Sequence, residues 1–220
     1  DEGGNKAYAD EVEFLRRELE TKGFVLLDQT AELEAEKLAA KIGAVLGGWQ
    51  TLEAKETSEA DPWSLSGRYG RGIFPWHTDG AVSPSPPKYL VLRCDRATVS
   101  VPTELLDMRA AEQREITDIL ARTVLEVRDR RGVARYFPAL LRAAGKIVVR
   151  WDPRIATVAS RGSRGIDRLL ESAQASVVVE WRAGRSLFFD NRKFLHRRPA
   201  VPSASSRRLR RLYIYKNEGR

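Results

Sequence analysis

Apolar residues recur at two different spacings along the chain, and the spacing separates predicted helices from predicted strands. Residues three or four apart, such as Val12, Leu15 and Leu19, share one face of a helix. On this basis the sequence predicts helices over residues 8–22, 31–46, 104–122 and 163–175. Short apolar runs predict strands over residues 24–27, 124–127, 147–151, 177–181, 186–190 and 209–215. Many short strands with helices on one side indicate an α+β protein that is mainly β.

Residues 53–72 follow neither spacing. This segment is polar and contains Pro62 with several Ser and Gly residues, so the sequence predicts a long loop. A loop of this length in a compact domain is usually functional or disordered. Because it runs directly into a segment with candidate metal ligands, we interpret it as a lid, and simple disorder is the alternative. Its candidate substrate contacts are Trp63, Ser66, Arg68 and Tyr69.

Length and composition narrow the class of protein. A chain of 220 residues suits one domain, residues 1–220, with a sizeable core. The single cysteine, Cys94, cannot form an internal disulfide, which suits a reducing compartment. No apolar run has the length of a membrane span and the first residues do not resemble a signal peptide, so we expect a cytoplasmic protein. The net charge of +8 favours an acidic partner or substrate without identifying one.

The only two histidines of the chain, His77 and His196, are candidate metal ligands. In a strand, residues two apart share a face, so His77 and Asp79 can hold one ion together. A His196 returning from a distant strand would complete a facial set of two imidazoles and one carboxylate. Such a set leaves coordination positions open and favours non-haem Fe(II) oxygenase chemistry. Taken alone, a His-x-Asp triplet is also compatible with a surface turn.

Three segments, residues 74–80, 87–94 and 189–198, resemble the TauD/TfdA and clavaminate-synthase-like family of Fe(II)- and 2-oxoglutarate-dependent dioxygenases. The resemblance covers roughly residues 65–215 and is strongest at the two ends. It implies a double-stranded β-helix, or jelly roll, with Fe(II), 2-oxoglutarate and O2 as cofactor and cosubstrates. The resemblance assigns iron to His77, Asp79 and His196, and it assigns 2-oxoglutarate to Arg207 and Thr103. Thr103 alternatively reads as the N-cap of the helix predicted after it.

Residues 207–215 read as a strand in which Arg207, Leu209, Arg211 and Tyr213 share one face. An inward Arg207 suits a dicarboxylate, because a guanidinium grips a carboxylate with two parallel hydrogen bonds. Arg211, on the same face, is a candidate contact for an acidic group of the substrate. The alternative for this run is a basic, solvated strand or a nucleic-acid patch.

The resemblance implies oxidation of a small amino-acid-like or carboxylate metabolite, free or presented by an acidic carrier protein, in natural-product biosynthesis. Hydroxylation is the expected outcome, with desaturation, cyclisation or epoxidation as variants. Trp76, next to the first ligand, is a further candidate substrate contact.

Two alternative functions come from other classes of protein. One is a non-catalytic or hydrolytic metal-binding jelly roll with Zn(II) or Mn(II), which has no need of Arg207, and the other is a basic nucleic-acid-binding module.

Overall fold

The computed structural model describes residues 2–62, 64–99, 101–128, 131–143, 146–158 and 165–215. Within these ranges the helices are α1 (Glu2–Thr21), α2 (Glu32–Ile42), α3 (Leu65–Tyr69), α4 (Arg114–Ala121) and α5 (Ile166–Ser172). Single 3-10 turns lie at Thr57–Glu59 and Ala111–Gln113. None of the described helices has both the length and the apolar character that crossing a bilayer requires.

The same residues form fifteen strands. The first seven are β1 (Phe24–Leu27), β2 (Ala44–Val45), β3 (Gln50–Glu53), β4 (Phe74–His77), β5 (Tyr89–Arg96), β6 (Thr103–Asp107) and β7 (Val124–Arg128). The remainder are β8 (Ala134–Pro138), β9 (Leu140–Ala143), β10 (Lys146–Val149), β11 (Ala156–Val158), β12 (Val177–Val179), β13 (Ser186–Asp190), β14 (Phe194–Arg198) and β15 (Arg208–Tyr215).

Two antiparallel sheets dominate the fold. The larger sheet has the order β1-β13-β5-β15-β2, and β3 also pairs with β15. The smaller sheet has the order β12-β6-β14-β4. Two smaller units, β10-β9 and β11-β7-β8, come from the segment between β6 and β12. The structure is therefore mainly β, as the sequence predicts.

Side chains from both sheets meet in a shared hydrophobic core, so the two sheets pack against each other. Strand β13 shows how the larger sheet is covered on both sides, since successive residues point to opposite faces. Phe189 packs between the sheets with Leu90, whereas Phe188 packs against helices α1 and α2 with Leu15 and Leu38. Every residue of β13 is buried. Burial on two faces explains why this strand reads as an unbroken apolar run.

The helix predicted over residues 104–122 is only partly correct, because its first part is strand β6. Leu105 and Met108 are three residues apart, which imitates helical spacing. In the structure β6 lies between β12 and β14, where Leu105 faces the core between the sheets and Leu106 faces the cluster around α4 and α5. Burial on both faces removed the alternation that would have identified a strand. The alternative interpretation of Thr103 as a helix N-cap is wrong for the same reason, since Thr103 begins β6.

The helix predicted over residues 31–46 ends at Ile42, and Ala44–Val45 instead pair with β15. The chain passes very close to β15 at Gly43, where an added Cβ would lie 2.6 Å from the carbonyl oxygen of Tyr215. Strand β3 was missed because its residues are polar and mostly exposed. Residues 53–72 are not a plain loop, since they contain a 3-10 turn and α3, capped by Ser64.

The core on the helix side of the larger sheet provides a test of this architecture. Phe188 is completely buried, so Phe188→Ala should lower the free energy of unfolding by about 3–5 kcal/mol through lost burial and the cavity left behind. The exposed Val178 of β12 provides the control, because Val178→Ala should change that free energy by no more than about 0.5 kcal/mol. Urea denaturation measures both. Similar losses in the two variants would contradict the packing described above.

Candidate metal centre

Strands β4 and β14 are antiparallel neighbours, and their register places His77 directly opposite His196. Asp79 follows β4 by two residues and turns its carboxylate toward both rings. His77 Nε2 lies 3.6 Å from Asp79 Oδ1, and His196 Nε2 lies 3.8 Å from the same oxygen. All three residues are buried. In the part of the chain that the structure describes, this is the one group of three or more His, Cys, Asp or Glu residues arranged to hold a metal ion.

The ring orientation of His77 is fixed by its own strand. Its Nδ1 lies 2.9 Å from the carbonyl oxygen of Pro75, which can only accept a hydrogen bond. Nδ1 therefore carries a proton, and Nε2 is the ring nitrogen that faces Asp79 and His196. Metal-binding histidines commonly use one nitrogen this way, so that the other is held ready for the ion. The His196 ring lies edge-on to Phe189, with 5.2 Å between the ring centroids.

The two oxygens of Asp79 have different surroundings. Oδ2 accepts hydrogen bonds from Arg211 Nη1 at 2.7 Å and from the Tyr213 hydroxyl at 3.3 Å. Oδ1 faces the two imidazoles. Burial alone would raise the pKa of Asp79, but the guanidinium of Arg211 holds that pKa below its ordinary value. The carboxyl group is therefore ionised.

The protonation state of His196 also suits metal binding. Burial, and next the neighbouring His77, lower the pKa of His196 to about 3, so its imidazole is neutral. A neutral imidazole and an ionised carboxylate are the forms that bind metals. Two imidazole nitrogens and one carboxylate oxygen, all within 4.8 Å of one another, fit a divalent transition-metal ion with open coordination positions.

The backbone around the first two ligands is held on both sides by buried polar groups. Thr78 donates its N–H to the carbonyl oxygen of Trp151 at 2.8 Å, and its hydroxyl accepts from Trp151 N–H at 3.1 Å. The Asn191 side chain bonds both the N–H and the C=O of Asp79, each at 2.9 Å. Thr78 and Asn191 were not recognised from the sequence. The one available signal was the polar pair Asp190 and Asn191 after the apolar residues 187–189.

A cavity of about 580 Å³ opens beside His77, Asp79 and His196. Part of its wall comes from the predicted lid segment, residues 53–72, through nine residues: Glu53, Ala54, Lys55, Glu59, Ala60, Asp61, Ser64, Leu65 and Ser66. The segment therefore borders the cavity beside the candidate metal centre.

Arg207 and Thr103, far apart in sequence, contact each other in this cavity. Arg207 Nη2 donates to Thr103 Oγ1 at 2.9 Å, and Trp181 Nε1 donates to the same oxygen at 3.0 Å. Burial, and next the nearby Arg198, lower the pKa of Arg207 to about 10, which leaves it charged near neutral pH. Among the described residues, no carboxylate forms an ion pair with Arg207.

The structure confirms the predicted register of the last strand. The odd-numbered residues Arg207, Leu209, Arg211 and Tyr213 all line the cavity. The even-numbered arginines point the other way: Arg208 lies near Glu53 and Asp95, and Arg210 lies 3.4 Å from Glu32 of α2. This run is thus not an open basic strand, since its outward arginines face acidic residues of the same chain.

Arg211 occupies the predicted face but has partners within the protein. In addition to Asp79 Oδ2, it donates through Nη2 to Gln50 Oε1 at 2.6 Å, and its guanidinium lies 4.7 Å from the centre of the Tyr213 ring. We expected Arg211 to hold an acidic group of the substrate. In the structure both of its terminal nitrogens are engaged, so its observed position is that of a partner to the ligand carboxylate.

The remaining candidate substrate contacts divide between the cavity and other places. Ser66 lines the cavity. Arg68 lies over the Tyr69 ring, and Tyr69 packs against Phe74, so neither side chain reaches the cavity lining. Trp76 is also outside the lining, because adjacent residues of a strand point to opposite faces and Trp76 enters the hydrophobic core next to α4 and α5. Trp63 lies outside the described residues.

Comparison with known proteins agrees with this geometry. Residues 142–213, which include His196, Arg207 and Arg211, match the model of the "Taurine catabolism dioxygenase TauD, TfdA family". No sequence among curated proteins matches the chain.

Solved structures share the fold over nearly the whole chain. An asparagine oxygenase, in complex with Fe(II), 2S,3S-3-hydroxyasparagine and succinate, has a TM-score of 0.71 at 16% identity, over 96% of this chain and 79% of the other. The non-heme iron oxygenase OrfP, in complex with Fe, succinate and (3S)-hydroxy-L-Arg, has a TM-score of 0.68 at 18% identity, over 94% and 81%. PvcB, an Fe, alpha-ketoglutarate dependent oxygenase from an isonitrile synthetic pathway, has a TM-score of 0.66 at 20% identity, over 92% and 79%. The chain thus has the fold of Fe- and 2-oxoglutarate-dependent oxygenases, and about a third of it matches the TauD/TfdA family.

Proposed function

We propose that this protein is an Fe(II)- and 2-oxoglutarate-dependent dioxygenase that oxidises a small amino-acid-like or carboxylate metabolite. Three independent features support the proposal. His77, Asp79 and His196 converge on one point, the cavity beside them contains Arg207 and Thr103, and the fold is that of oxygenases using the same cofactors. The two facing antiparallel sheets support a double-stranded β-helix, and we take residues 1–220 as one catalytic domain.

The observation that carries the proposal is the charge of Arg207. Charged groups withdrawn from water are normally paired, because removing an ion from water without a partner costs several kcal/mol. Arg207 is largely withdrawn from solvent and has a hydroxyl partner, Thr103, but no ion-pair partner among the described residues. Its side chain lines the same cavity as the candidate ligands. An anionic ligand in that cavity would supply the missing charge, and a dicarboxylate could reach both Arg207 and the metal.

The same observation separates this function from a non-catalytic or hydrolytic metal protein. Zn(II) or Mn(II) would be held equally well by two imidazoles and a carboxylate. Such a site does not require an arginine such as Arg207, which has no counter-charge, in its cavity. A nucleic-acid-binding module is disfavoured as well, because the arginines of β15 face either the cavity or acidic residues of the chain.

Each residue of the site has a distinct task in this reaction. His77 Nε2, His196 Nε2 and Asp79 Oδ1 would hold Fe(II), while Arg207 and Thr103 would hold the far carboxylate of 2-oxoglutarate. When bound, Fe(II) with 2-oxoglutarate and O2 supplies the oxidising chemistry, in which 2-oxoglutarate becomes succinate and CO2 as the substrate is oxidised. The candidate ligands form a buried part of the cavity wall, and residues 53–55, 59–61 and 64–66 form another part of it.

The substrate class rests on size, charge and the structural neighbours. A cavity of about 580 Å³ is in the range used for small molecules, and its lining mixes basic and acidic side chains. The asparagine oxygenase and OrfP structures contain hydroxylated amino acids, and PvcB comes from an isonitrile synthetic pathway. We therefore propose hydroxylation of an amino acid or a related carboxylate, free or on an acidic carrier protein, in natural-product biosynthesis.

Formation of succinate tests the proposed reaction. With Fe(II), O2 and 2-oxoglutarate, the protein should release succinate, and an amino-acid panel should contain members that accelerate the release and gain the mass of one oxygen atom. Mass spectrometry of both products makes the measurement. Absence of succinate above the metal-only background, with and without the panel, would contradict the assignment.

The metal ligands are tested by binding rather than by turnover. His77→Ala or His196→Ala removes one of three ligands and should weaken Fe(II) binding by at least about 100-fold, while the far-UV circular dichroism spectrum stays close to that of the wild type. Anaerobic titration calorimetry measures the affinity. Wild-type Fe(II) affinity in either variant would remove that histidine from the site.

Two neighbouring arginines, one that lines the cavity and one that faces away from it, test the cosubstrate site. Arg207→Lys keeps the charge but loses the forked geometry, and hydrogen bonds to charged groups contribute about 1.5–3 kcal/mol each. The KM for 2-oxoglutarate should therefore rise about tenfold or more. Arg208→Lys, which changes a residue facing away from the cavity, should leave this KM within about twofold. If instead Arg208→Lys produced the larger change, the assigned register and cosubstrate site would both be wrong.

A further inference from the structure

Asn191 is a completely buried polar residue that immediately follows β13. Its side-chain Oδ1 accepts a hydrogen bond from Asp79 N–H at 2.9 Å. Its Nδ2 donates to the carbonyl oxygen of Asp79 at 2.9 Å and to that of Pro87 at 3.1 Å. The amide therefore uses its acceptor and both of its donor hydrogens on backbone groups. No part of the proposed reaction uses this residue directly.

The two bonds to Asp79 fix its backbone from both sides. The N–H lies before the Cα atom and the C=O lies after it, so holding both restricts the φ and ψ angles of this one residue. These two angles set the direction of the Cα–Cβ bond, and thereby the point to which the carboxylate extends. Asn191 does not contact the carboxylate, so it acts through the main chain.

Asn191 also connects the two segments that carry the candidate ligands. A turn closed by a hydrogen bond from Lys193 N–H to the carbonyl oxygen of Asp190 leads from β13 to β14, which carries His196. The Asn191 side chain reaches from this turn to a second segment. This segment consists of β4, which carries His77, and the turn after it, which carries Asp79. The third bond, to Pro87, holds the end of the loop that follows Asp79. One amide thus fixes the spacing between both ligand-bearing segments.

Only a side chain of this size and chemistry can make these contacts. The site requires one acceptor and two donors on one short planar group, which among the amino acids describes the amide of asparagine. Aspartate has no donor, and glutamine carries the same amide one methylene further from the backbone. Removal of the amide would leave the N–H of Asp79 and two carbonyl groups buried without these partners, which is costly.

We propose that Asn191 is a positioning residue that sets the direction of the Asp79 carboxylate before the metal binds. This inference rests on the proposed metal site, and it adds a residue that does not touch the ion. A ligand that is already oriented does not have to be ordered when the metal arrives. Loss of the amide should therefore weaken metal binding, and partners of this kind typically change metal affinity by about 10–100-fold.

The test uses neutral substitutions, so that no charge near the metal changes. Asn191→Ala removes the amide, and Asn191→Gln displaces it by one methylene. Thr123→Val is the matched control, because Thr123 is similarly buried, donates its hydroxyl to the carbonyl oxygen of Ile119 and does not line the cavity. The affinity of each full-length variant for Mn(II) alone, with no 2-oxoglutarate or substrate, is measured by calorimetry. Thermal melting records the loss of stability.

We expect both Asn191 variants to bind Mn(II) about 10–100-fold more weakly, and Thr123→Val to keep wild-type affinity despite a lower melting temperature. Equal affinity in the wild type and the Asn191 variants would overturn the inference while leaving the metal site in place. Failure of the wild type itself to bind Mn(II) would instead overturn the proposed function. The two failures are thus distinguishable.

Hydrogen exchange in the wild-type protein provides a second measurement that depends on no variant. Asp79 N–H donates to Asn191, so its exchange without added metal should be as slow as that of the amides in β13. Addition of Zn(II), which is diamagnetic, should change this exchange little. An Asp79 amide that exchanges freely without metal and becomes protected only with Zn(II) would show that the metal orders Asp79, and the inference would be wrong.

Discussion

The antiparallel pairing of β4 with β14 is the constraint on which the candidate site depends. Their register places His77 opposite His196, so two residues from distant parts of the sequence present their rings to the same point. Asp79 joins them because the chain turns directly after β4. A shift of this pairing by one residue would move a histidine to the opposite face of the sheet, where Trp76 now fills the core. The site is therefore a property of sheet register.

The two arginines that enter the cavity from β15 and from the residue before it have different partners. Arg211 lies on β15, and Arg207 immediately precedes it. Because their partners differ, we expect the two arginines to have different roles. Arg211 is bonded to Asp79 and Gln50, so it balances the buried carboxylate. Arg207 has only the hydroxyl of Thr103 as a hydrogen-bond acceptor for its side chain among the described residues, so its charge is left for a ligand. The outward arginines between them face acidic residues, which neutralise the other side of this strand.

The parts of the site that could be predicted from the sequence are those whose signal lies within a few neighbouring residues. His77 and Asp79 were found together because they lie two residues apart, although Asp79 lies in the turn after β4 and not on the strand as expected; His196 was the one other histidine. The alternation along residues 207–213 gave the correct cavity-facing side of β15. The start of β6 was not recognised, because burial on both faces erased its alternation and the spacing of Leu105 and Met108 imitated a helix.

The role of Asn191 could not be predicted from sequence patterns. Its partners are backbone groups of Asp79 and Pro87, which are distant in sequence, and backbone groups look the same at every position of a chain. The hydrogen-bond partner of Arg211 could not be predicted from the sequence for a related reason. Its strand face was predictable, but the choice between a substrate and Asp79 as its acceptor depended on how closely β15 approaches the turn after β4.

We propose that the His77, Asp79 and His196 cluster and Arg207 form one site, in which a metal ion and a dicarboxylate bind together. Anaerobic calorimetric titration with 2-oxoglutarate, in the presence and absence of Fe(II), tests it most directly. One equivalent of 2-oxoglutarate should bind, much more tightly with Fe(II) than without, because the two ligands share one cavity. Equal affinity with and without Fe(II), or no binding under either condition, would contradict it.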